Sequence, residues 1–205
     1  MTLKYNGIYR GKVLATDVSE SDNVGRLKVE VYSMLVGEDT ARDLAKTGTS
    51  IVGIATADLP WAKPAYPIFS GSGSGFGFFA VPEVDSFVFI FFEDGDIYQP
   101  VYFAEAPTAT LGIPSSSQTN YPNRRVLKTK TGLEVIFDDQ DESIKINHPT
   151  GSLITMDSDG SISITGNGEV NVTGGGDVNI TGSSDIDIEG NGVVTISGST
   201  VEINT

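Results

Sequence analysis

Several residue types are scarce or missing in this chain, and each shortage argues against a class of protein. Cysteine is absent, so neither disulfide bonds nor thiolate metal sites can contribute. A single histidine, His148, leaves little room for a Ser/His/Asp catalytic arrangement. The longest apolar run, Phe87–Phe92, has the length of a strand and falls far short of the about 18 residues of a transmembrane helix. Met1–Gly11 contains no apolar stretch typical of a signal peptide, so we expect no secretory leader.

Basic residues are also scarce, and they are unevenly distributed. The chain has 13 Lys and Arg against 27 Asp and Glu, which gives a net charge of −14. No Lys or Arg follows Lys145, whereas eight carboxylates do. Such a surface repels nucleic acid and anionic lipid, so we expect no nucleic acid as a partner. The charge instead favours the solubility of a β-rich surface.

Residues 152–199 repeat with a period of eight. Stacked, the octads read SLITMDSD, GSISITGN, GEVNVTGG, GDVNITGS, SDIDIEGN and GVVTISGS. The third and fifth residues of each octad are apolar and the residue between them is polar, which is the period-two pattern of a short β-strand. These octads predict a shaft whose core-facing residues are Ile154, Met156, Ile162, Ile164, Val170, Val172, Val178, Ile180, Ile186, Ile188, Val194 and Ile196.

Glycine occupies the seventh place of the later octads, at Gly166, Gly174, Gly182, Gly190 and Gly198. At these turns the backbone either takes a conformation that a Cβ forbids or approaches another segment closely. Each octad offers only two inward side chains, so a lone chain leaves most of this apolar surface uncovered. Three chains around one axis would bury it, each forming one wall of a triangular prism. We therefore predict an intertwined, homotrimeric triple-stranded β-helix. An ion or a lipid inside the shaft is the one non-protein component we consider.

Two other interpretations of the repeat fit less well. A disordered Gly/Ser/Asn tail does not require twelve apolar residues in register. A calcium-binding nonapeptide solenoid is suggested by GGGD at 174–177, but its period is nine and it needs an Asp in every repeat.

The first 106 residues predict an all-β domain, a small closed barrel of the OB type. Alternating segments lie at 7–18, 25–34, 50–57, 75–81, 85–92 and 98–104. Glu93–Asp96 indicates a hairpin turn, and only Glu38–Lys46 indicates a helix. The predicted domains are the OB-fold domain at 1–106, a connector with a β-hairpin at 107–148, and the shaft at 149–205.

The order of short motifs along the chain resembles one family, the central spikes of contractile tails. The barrel region contains GRLKV at 25–29, LPWA at 59–62, VPEV at 81–84, FEDGD at 92–96 and QPVY at 99–102. This order resembles the OB-fold domain of the cell-puncturing spikes of T4-like and P2-like phages and of VgrG. Residues 128–160 are similar to the VgrG segment between barrel and β-helix, and the octads are similar to the shaft repeat of the T4-like spike.

The resemblance implies a structural, membrane-piercing spike in the tail baseplate of a virion, assembled in the host cytoplasm. Contraction of the tail would drive it through the outer membrane of the target cell for genome ejection. It implies a separate hub protein at the barrel. The end near Val201 and Ile203 either closes the prism or leaves a blunt end for a separate PAAR-type tip protein. No lysozyme-like domain lies between barrel and shaft, so we expect no enzyme. The His-x-His iron site of P2-like spikes has no counterpart, since His148 lies upstream of the shaft.

Two other functions stay open. A trimeric fibre or adhesin would bind surface glycans saturably. A tailspike enzyme would need a groove with paired carboxylates and a much longer β-helix. An OB-type binder of single-stranded nucleic acid is disfavoured by the charge.

Four further features suggest sites, and a structural explanation is favoured for each. The carboxylates Asp138, Asp139, Asp141 and Glu142 suit Ca²⁺, but they lie in a turn between alternating segments at 133–137 and 143–147. The glycine-rich segment 71–77 suits a phosphate, but no helix follows it. Trp61 and Phe87–Phe92 suit base stacking, although aromatic side chains of small barrels usually fill the core. His148 is a weak candidate for binding an ion on the three-fold axis, and a solvated histidine is favoured.

Overall fold

The computed structural model describes residues 4–16, 25–32, 34–49, 51–67, 77–108 and 112–202. The chain divides into two compact units, Met1–Pro122 and Asn123–Thr205. The boundary between them falls within the segment that the sequence assigns to a connector. Each unit is built on a β-sheet, so the prediction of an all-β protein is confirmed.

The first unit is a closed barrel of five strands. The strands are β1 (Tyr9–Thr16), β2 (Leu27–Val31), β3 (Trp61–Pro64), β4 (Phe87–Phe92) and β5 (Pro100–Glu105). Their order around the barrel is β1-β2-β3-β5-β4, and β1 pairs with β4 to close it. Among the described strand pairs of the barrel, only β3–β5 is parallel. Closure leaves no free sheet edge in the barrel, and this strand order is compatible with the predicted OB type.

The helix α1 (Glu38–Lys46) has the bounds that the sequence predicts. It lies between β2 and β3, and its first turn is tied to the barrel by Glu30 of β2. The Glu30 carboxylate accepts hydrogen bonds from the Gly37 backbone N (3.0 Å) and the Thr40 hydroxyl (2.9 Å). Among the described residues, no helix is long and apolar enough to cross a membrane.

Two predicted strands of the barrel region are wrong. Within 51–57 only Ile54 forms an isolated bridge, to Gly37, and the third strand is instead Trp61–Pro64. Residues 77–81 form no strand, and 75–76 lie outside the described residues. The true third strand is short and its fully buried residue is the small Ala62, so its apolar signal is weak.

Alternation along β4 decides which of its residues enter the barrel core. Val88, Ile90 and Phe92 point inward and are buried beside Val13 and Leu27 of β1 and β2. The other aromatic residues of this strand lie on the outer surface, half-buried or exposed. The expectation that the aromatic run fills the core therefore holds only for every second residue.

The second unit begins with an antiparallel meander of five strands. The strands are β6 (Arg124–Lys128), β7 (Glu134–Asp138), β8 (Ser143–Asn147), β9 (Leu153–Met156) and β10 (Ile162–Thr165), each paired with its neighbours in sequence. The predicted hairpin is thus present as β7 and β8. Three hairpin loops end in a glycine with positive φ, at Gly132, Gly151 and Gly160. This is the pattern of a type I turn followed by a left-handed residue.

The first two octads of the repeat are part of this sheet. Residues Leu153–Met156 and Ile162–Thr165 form the antiparallel hairpin β9–β10, and the backbone leaves the sheet after them. From 166 to 202 no residue belongs to a strand of this single chain. The backbone there bends at 167–168, 175–176, 183–184, 191–192 and 198–199, which reproduces the period of the sequence.

Candidate functional site: an exposed apolar surface

One face of the β6–β10 sheet is almost wholly apolar. Directly paired residues of neighbouring strands share a face, so the register defines the two rows of this apolar face. The rows are Leu127, Val135, Ile146, Ile154 and Ile164, and Arg125, Phe137, Ile144, Met156 and Ile162. Nine of the ten side chains are apolar, and eight of these nine are exposed in the single chain.

The opposite face of the same sheet is mixed in character and better buried, and it includes the buried Ile136. Asp138, Ser143 and Thr155 are buried there, and Arg124 forms an ion pair with Asp138. A one-sided antiparallel sheet normally buries its apolar face and solvates its polar one. Here the apolar face is the more exposed of the two in the described residues of the second unit.

The apolar positions of the octads after the sheet form a continuing row. The third-place residues Val170, Val178, Ile186 and Val194 are 49–55% exposed, and the fifth-place residues Val172, Ile180, Ile188 and Ile196 are 67–77% exposed. The difference arises because each third-place side chain packs against the seventh-place glycine of the preceding octad. A Cβ on Gly182, for example, would lie 3.0 Å from Cγ1 of Ile186.

Gly166, Gly174 and Gly182 are needed for space, because a Cβ on each would lie 3.0 Å or less from the next third-place side chain. None of Gly166, Gly174, Gly182, Gly190 and Gly198 is among the glycines with positive φ. Of the two explanations that the sequence leaves open for the turn glycines, the geometry therefore supports close approach.

At the end of the described octads, the period of the sequence shortens by one residue and the backbone bend shifts with it. Val201 is one residue early for the period of eight, and the bend at 198–199 is also one residue early. Val201 thus stands three residues after the start of its bend, as Val194 does after 191. Its exposure of 49% matches that of the third-place residues. Ile203 lies outside the described residues.

A groove of about 460 Å³ joins the sheet face to the octad row. Ile146, Ile154 and Ile164 of the sheet and Val170 of the first free octad line it together. The backbone N of Asn167 donates a hydrogen bond to the Ser152 hydroxyl (3.1 Å), which fixes the exit of the chain from the sheet. The apolar face of the sheet therefore continues to Val170, where the row of exposed octad positions begins.

The predicted acidic residues lie at the end of β7 and in the turn that follows it, and two of them form ion pairs. Asp138 pairs with Arg124 and accepts hydrogen bonds from the backbone N of Gln140 and Asp141, and Asp139 pairs with Arg125. The described residues contain no group of three or more His, Asp or Glu side chains that could hold a metal ion. Most of the glycine-rich segment, 71–76, lies outside those residues.

His148 lies in the β8–β9 loop at one end of the sheet. Its Nδ1 is 2.7 Å from the Thr150 hydroxyl and accepts a hydrogen bond from the Thr150 backbone N (3.2 Å). The ring is exposed and also lines the groove.

The Trp61 ring packs against the buried ammonium group of Lys28. It is therefore not a free surface on which a base could stack. The Lys28 ammonium is 4.5 Å from the centre of the Trp61 ring and donates hydrogen bonds to the carbonyls of Ala57 and Leu59. Burial lowers the pKa of Lys28, and the nearby Asp58 opposes that shift. The Lys28 side chain thus links β2 to the segment that precedes β3.

An aromatic cluster on the outer barrel wall was not foreseen from the sequence. Phe103 lies 6.3 Å from Phe89 and 6.1 Å from Phe91, ring centre to ring centre, and the Arg10 guanidinium lies over Phe89 at 5.7 Å. Outer surfaces of small barrels are usually polar, so this aromatic cluster is a second surface suited to contact. Alternation within an all-apolar strand was the signal that could have located it.

Comparison of the chain with protein-family models and with curated proteins found no match.

Proposed function

We propose that the protein is the homotrimeric central spike of a contractile-tail baseplate, with an N-terminal OB-fold domain and a C-terminal triple-stranded β-helix. The observation that supports it best is the exposed apolar surface of the described second unit, which comprises the apolar face of the sheet and the apolar octad positions up to Val201. An apolar surface of this size on a single chain is typical of an interface.

In a trimer, the apolar surface of each copy would be buried against the same surface of the other two copies. Each chain would place its octad row on a common axis, where the apolar side chains of the three copies meet. Burial of one Val or Ile side chain contributes roughly 1.5–3 kcal/mol. Backbone N–H and C=O groups of 166–202, which have no strand partner in one chain, would pair with neighbouring copies.

The resulting rod would act mechanically and not as an enzyme. Continuous strand pairing around a dry apolar axis resists bending, so contraction of a tail could drive the rod through an outer membrane. The acidic residues of the octads would coat its outside and keep it soluble. The aromatic cluster around Phe103 is a suitable contact for a hub protein, and the end near Val201 and Ile203 for a tip protein.

Absolute mass by light scattering after size exclusion tests the assembly first. The expected mass is 65.1 kDa, three times the 21.7 kDa of one chain. A mass of one chain overturns the trimer and the spike together. If the mass is that of a trimer, saturable binding on a glycan array or turnover of polysaccharide would favour an adhesin or a tailspike enzyme instead.

The spike function is tested by the position of the protein in the particle and by the effect of removing its octads. A chain carrying a small epitope should be labelled on the tail axis of assembled particles by electron microscopy. Particles assembled with a chain that lacks the octads should contract without admitting a normally excluded dye through the outer membrane. Unimpaired dye entry with those particles would contradict a piercing role.

A further inference from the structure

The ends of the strands in the β6–β10 sheet, and not its two edge strands, face the neighbouring copies in the proposed trimer. Both rows of the apolar face cross all five strands, and Ile164 of the last strand lines one groove with Val170 of the first free octad. Because the proposed trimer places the octad row on the three-fold axis, the strands are stacked along that axis and each strand runs across one wall of the prism. One side of each wall then meets the opposite side of the wall of the next copy.

The length of the strands matches the size of such a prism. The strands β7 and β8 have five residues each, and five extended residues at about 3.3 Å give a wall roughly 17 Å wide. The axis of a triangle with sides of about 17 Å lies about 5 Å from each wall, which is half of the about 10 Å between packed sheets. Apolar side chains on the three walls can therefore fill the space around the axis.

The strand β8 has a carboxylate at one end and an imidazole at the other. Glu142 directly precedes Ser143–Asn147, and His148 directly follows it. A three-fold rotation changes neither the height of a residue along the axis nor its distance from the axis, so the three β8 strands form one ring. The His148 end of β8 in one copy thus meets the Glu142 end in the next. Within one copy, the extended chain holds the two residues roughly 20 Å apart.

A cavity of about 330 Å³ lies at the Glu142 end of β8, where β7 ends. It is lined by Phe137, Asp138, Asp139, Glu142, Ser143 and Ile144. Ser143 is only 6% exposed, and its hydroxyl has no hydrogen-bond partner among the described residues. Glu142 forms no ion pair in that part of the chain, whereas Asp138 and Asp139 each pair with an arginine of β6. Buried polar groups without a partner are rare in folded proteins, so the cavity is suited to a donor from another copy.

His148 presents such a donor at the other end of β8. Its Nδ1 accepts the backbone N–H of Thr150, so Nε2 carries the proton of the neutral ring, and the residue is exposed. We propose that His148 of each copy enters the cavity of the next copy and donates its Nε2–H to the Glu142 carboxylate, with the Ser143 hydroxyl as a second acceptor. The inference rests on the proposed trimer and adds a contact that is repeated at each of the three corners of the prism.

A double-mutant cycle tests this corner contact. Effects of substitutions at sites more than about 7–10 Å apart normally add, so His148 and Glu142 of one copy should not influence each other. His148→Ala and Glu142→Ala should each lower the melting temperature of the trimer, and the double variant should lower it by no more than the larger single loss. His148→Gln retains an N–H donor and should lower the melting temperature less than His148→Ala does.

Engineered cysteines give an independent measurement, because the chain has none of its own. A disulfide needs Cα atoms within about 7 Å, so Glu142→Cys/His148→Cys cannot close within one copy and should give covalent dimers and trimers on a non-reducing gel. The matched control is Thr129→Cys/Ser161→Cys, because Thr129 follows β6 and Ser161 precedes β10. These two strands lie four spacings apart along the axis, roughly 19 Å, so the control pair should stay unlinked.

The outcomes separate the corner contact from the trimer itself. A protein of 65.1 kDa in which the losses of melting temperature add, or in which Glu142→Cys/His148→Cys stays unlinked, overturns the corner contact and leaves the trimer standing. Equal linking of the control pair would also contradict the corner contact. A protein of 21.7 kDa overturns the trimer.

Discussion

A Cβ atom on Gly174 would lie 2.8 Å from Cγ2 of Val178, the first apolar residue of the next octad. A Cβ on the adjacent Gly175 would meet no heavy atom within 4 Å. The two neighbours therefore differ in the space around them, although neither has a positive φ.

The variant Gly174→Ala should lower the free energy of unfolding of the shaft by about 1–3 kcal/mol per chain, because the added methyl overpacks against Val178. Gly175→Ala should leave it unchanged or raise it by about 0.4–1 kcal/mol, because alanine reduces the freedom of the unfolded chain. Denaturant unfolding of the two variants and the parent measures both changes. Equal losses in the two variants would contradict the role of close approach.

The inward assignment of the octads predicts a large effect of charge at Ile180. Ile180→Asp would place three carboxylates on the axis, and each unpaired buried charge costs several kcal/mol. Light scattering should then show one chain in place of three. Asn179→Asp introduces the same charge at the adjacent outward position and should retain the trimer. If Ile180→Asp assembles and melts like the parent, Ile180 does not face the axis.

Alternation in β4 predicts opposite outcomes at adjacent residues of the barrel. Ile90 is fully buried, so Ile90→Ala should cost about 2–5 kcal/mol of unfolding free energy. Phe91 is exposed and its ring lies 6.1 Å from that of Phe103, so Phe91→Ala should cost less, about 1 kcal/mol. Thermal melting followed by circular dichroism compares them. A larger loss at Phe91 than at Ile90 would mean that the strand faces the other way.

The barrel should lose stability in alkaline solution because of Tyr102. Burial raises the pKa of the Tyr102 phenol, with a contribution from Tyr66, and its hydroxyl donates a hydrogen bond to the Gly25 carbonyl (2.6 Å). The unfolded chain ionises its tyrosines near pH 10. The stabilisation is therefore complete below about pH 10 and is lost as the pH rises towards the higher value of the folded state.

Melting temperatures between about pH 8 and 11 check this dependence. The Tyr102→Phe variant should melt lower than the parent at pH 8, because it lacks the hydrogen bond, and should fall less steeply above pH 10. Tyr98→Phe, at an exposed tyrosine, is the matched control and should follow the parent. Identical slopes for Tyr102→Phe and the parent would exclude Tyr102 as the cause.

Local patterns in the sequence predicted some elements to the residue. The bounds of α1 follow from its charged first and last turns, and those of β8 from the alternation of Ser143–Asn147. The third strand of the barrel was misplaced because its pairing partners, Leu27 and Lys28, are distant in sequence. A strand of only four residues that ends in proline shows little alternation, so the sequence alone does not indicate such long-range pairing.

The position of the first two octads in the sheet had a sequence signal that the period of eight concealed. The first octad has Ser158 where later octads have glycine, and its loop ends in Gly160. The loops ending in Gly132 and Gly151 have the same form, and all three are hairpins. Repetition of residue types therefore predicted the apolar rows, whereas the turn chemistry decided where hairpins end and free octads begin.

The early bend at 198–199 has a consequence for how such a segment can change over time. The place of each apolar side chain is counted from the bend before it and not from the start of the repeat, as Val201 demonstrates. Loss or gain of one residue between two bends is then a local event that leaves the following octads in line. A segment built in this way can gain or lose single residues, because each bend fixes the position of the next apolar residue independently of the earlier octads.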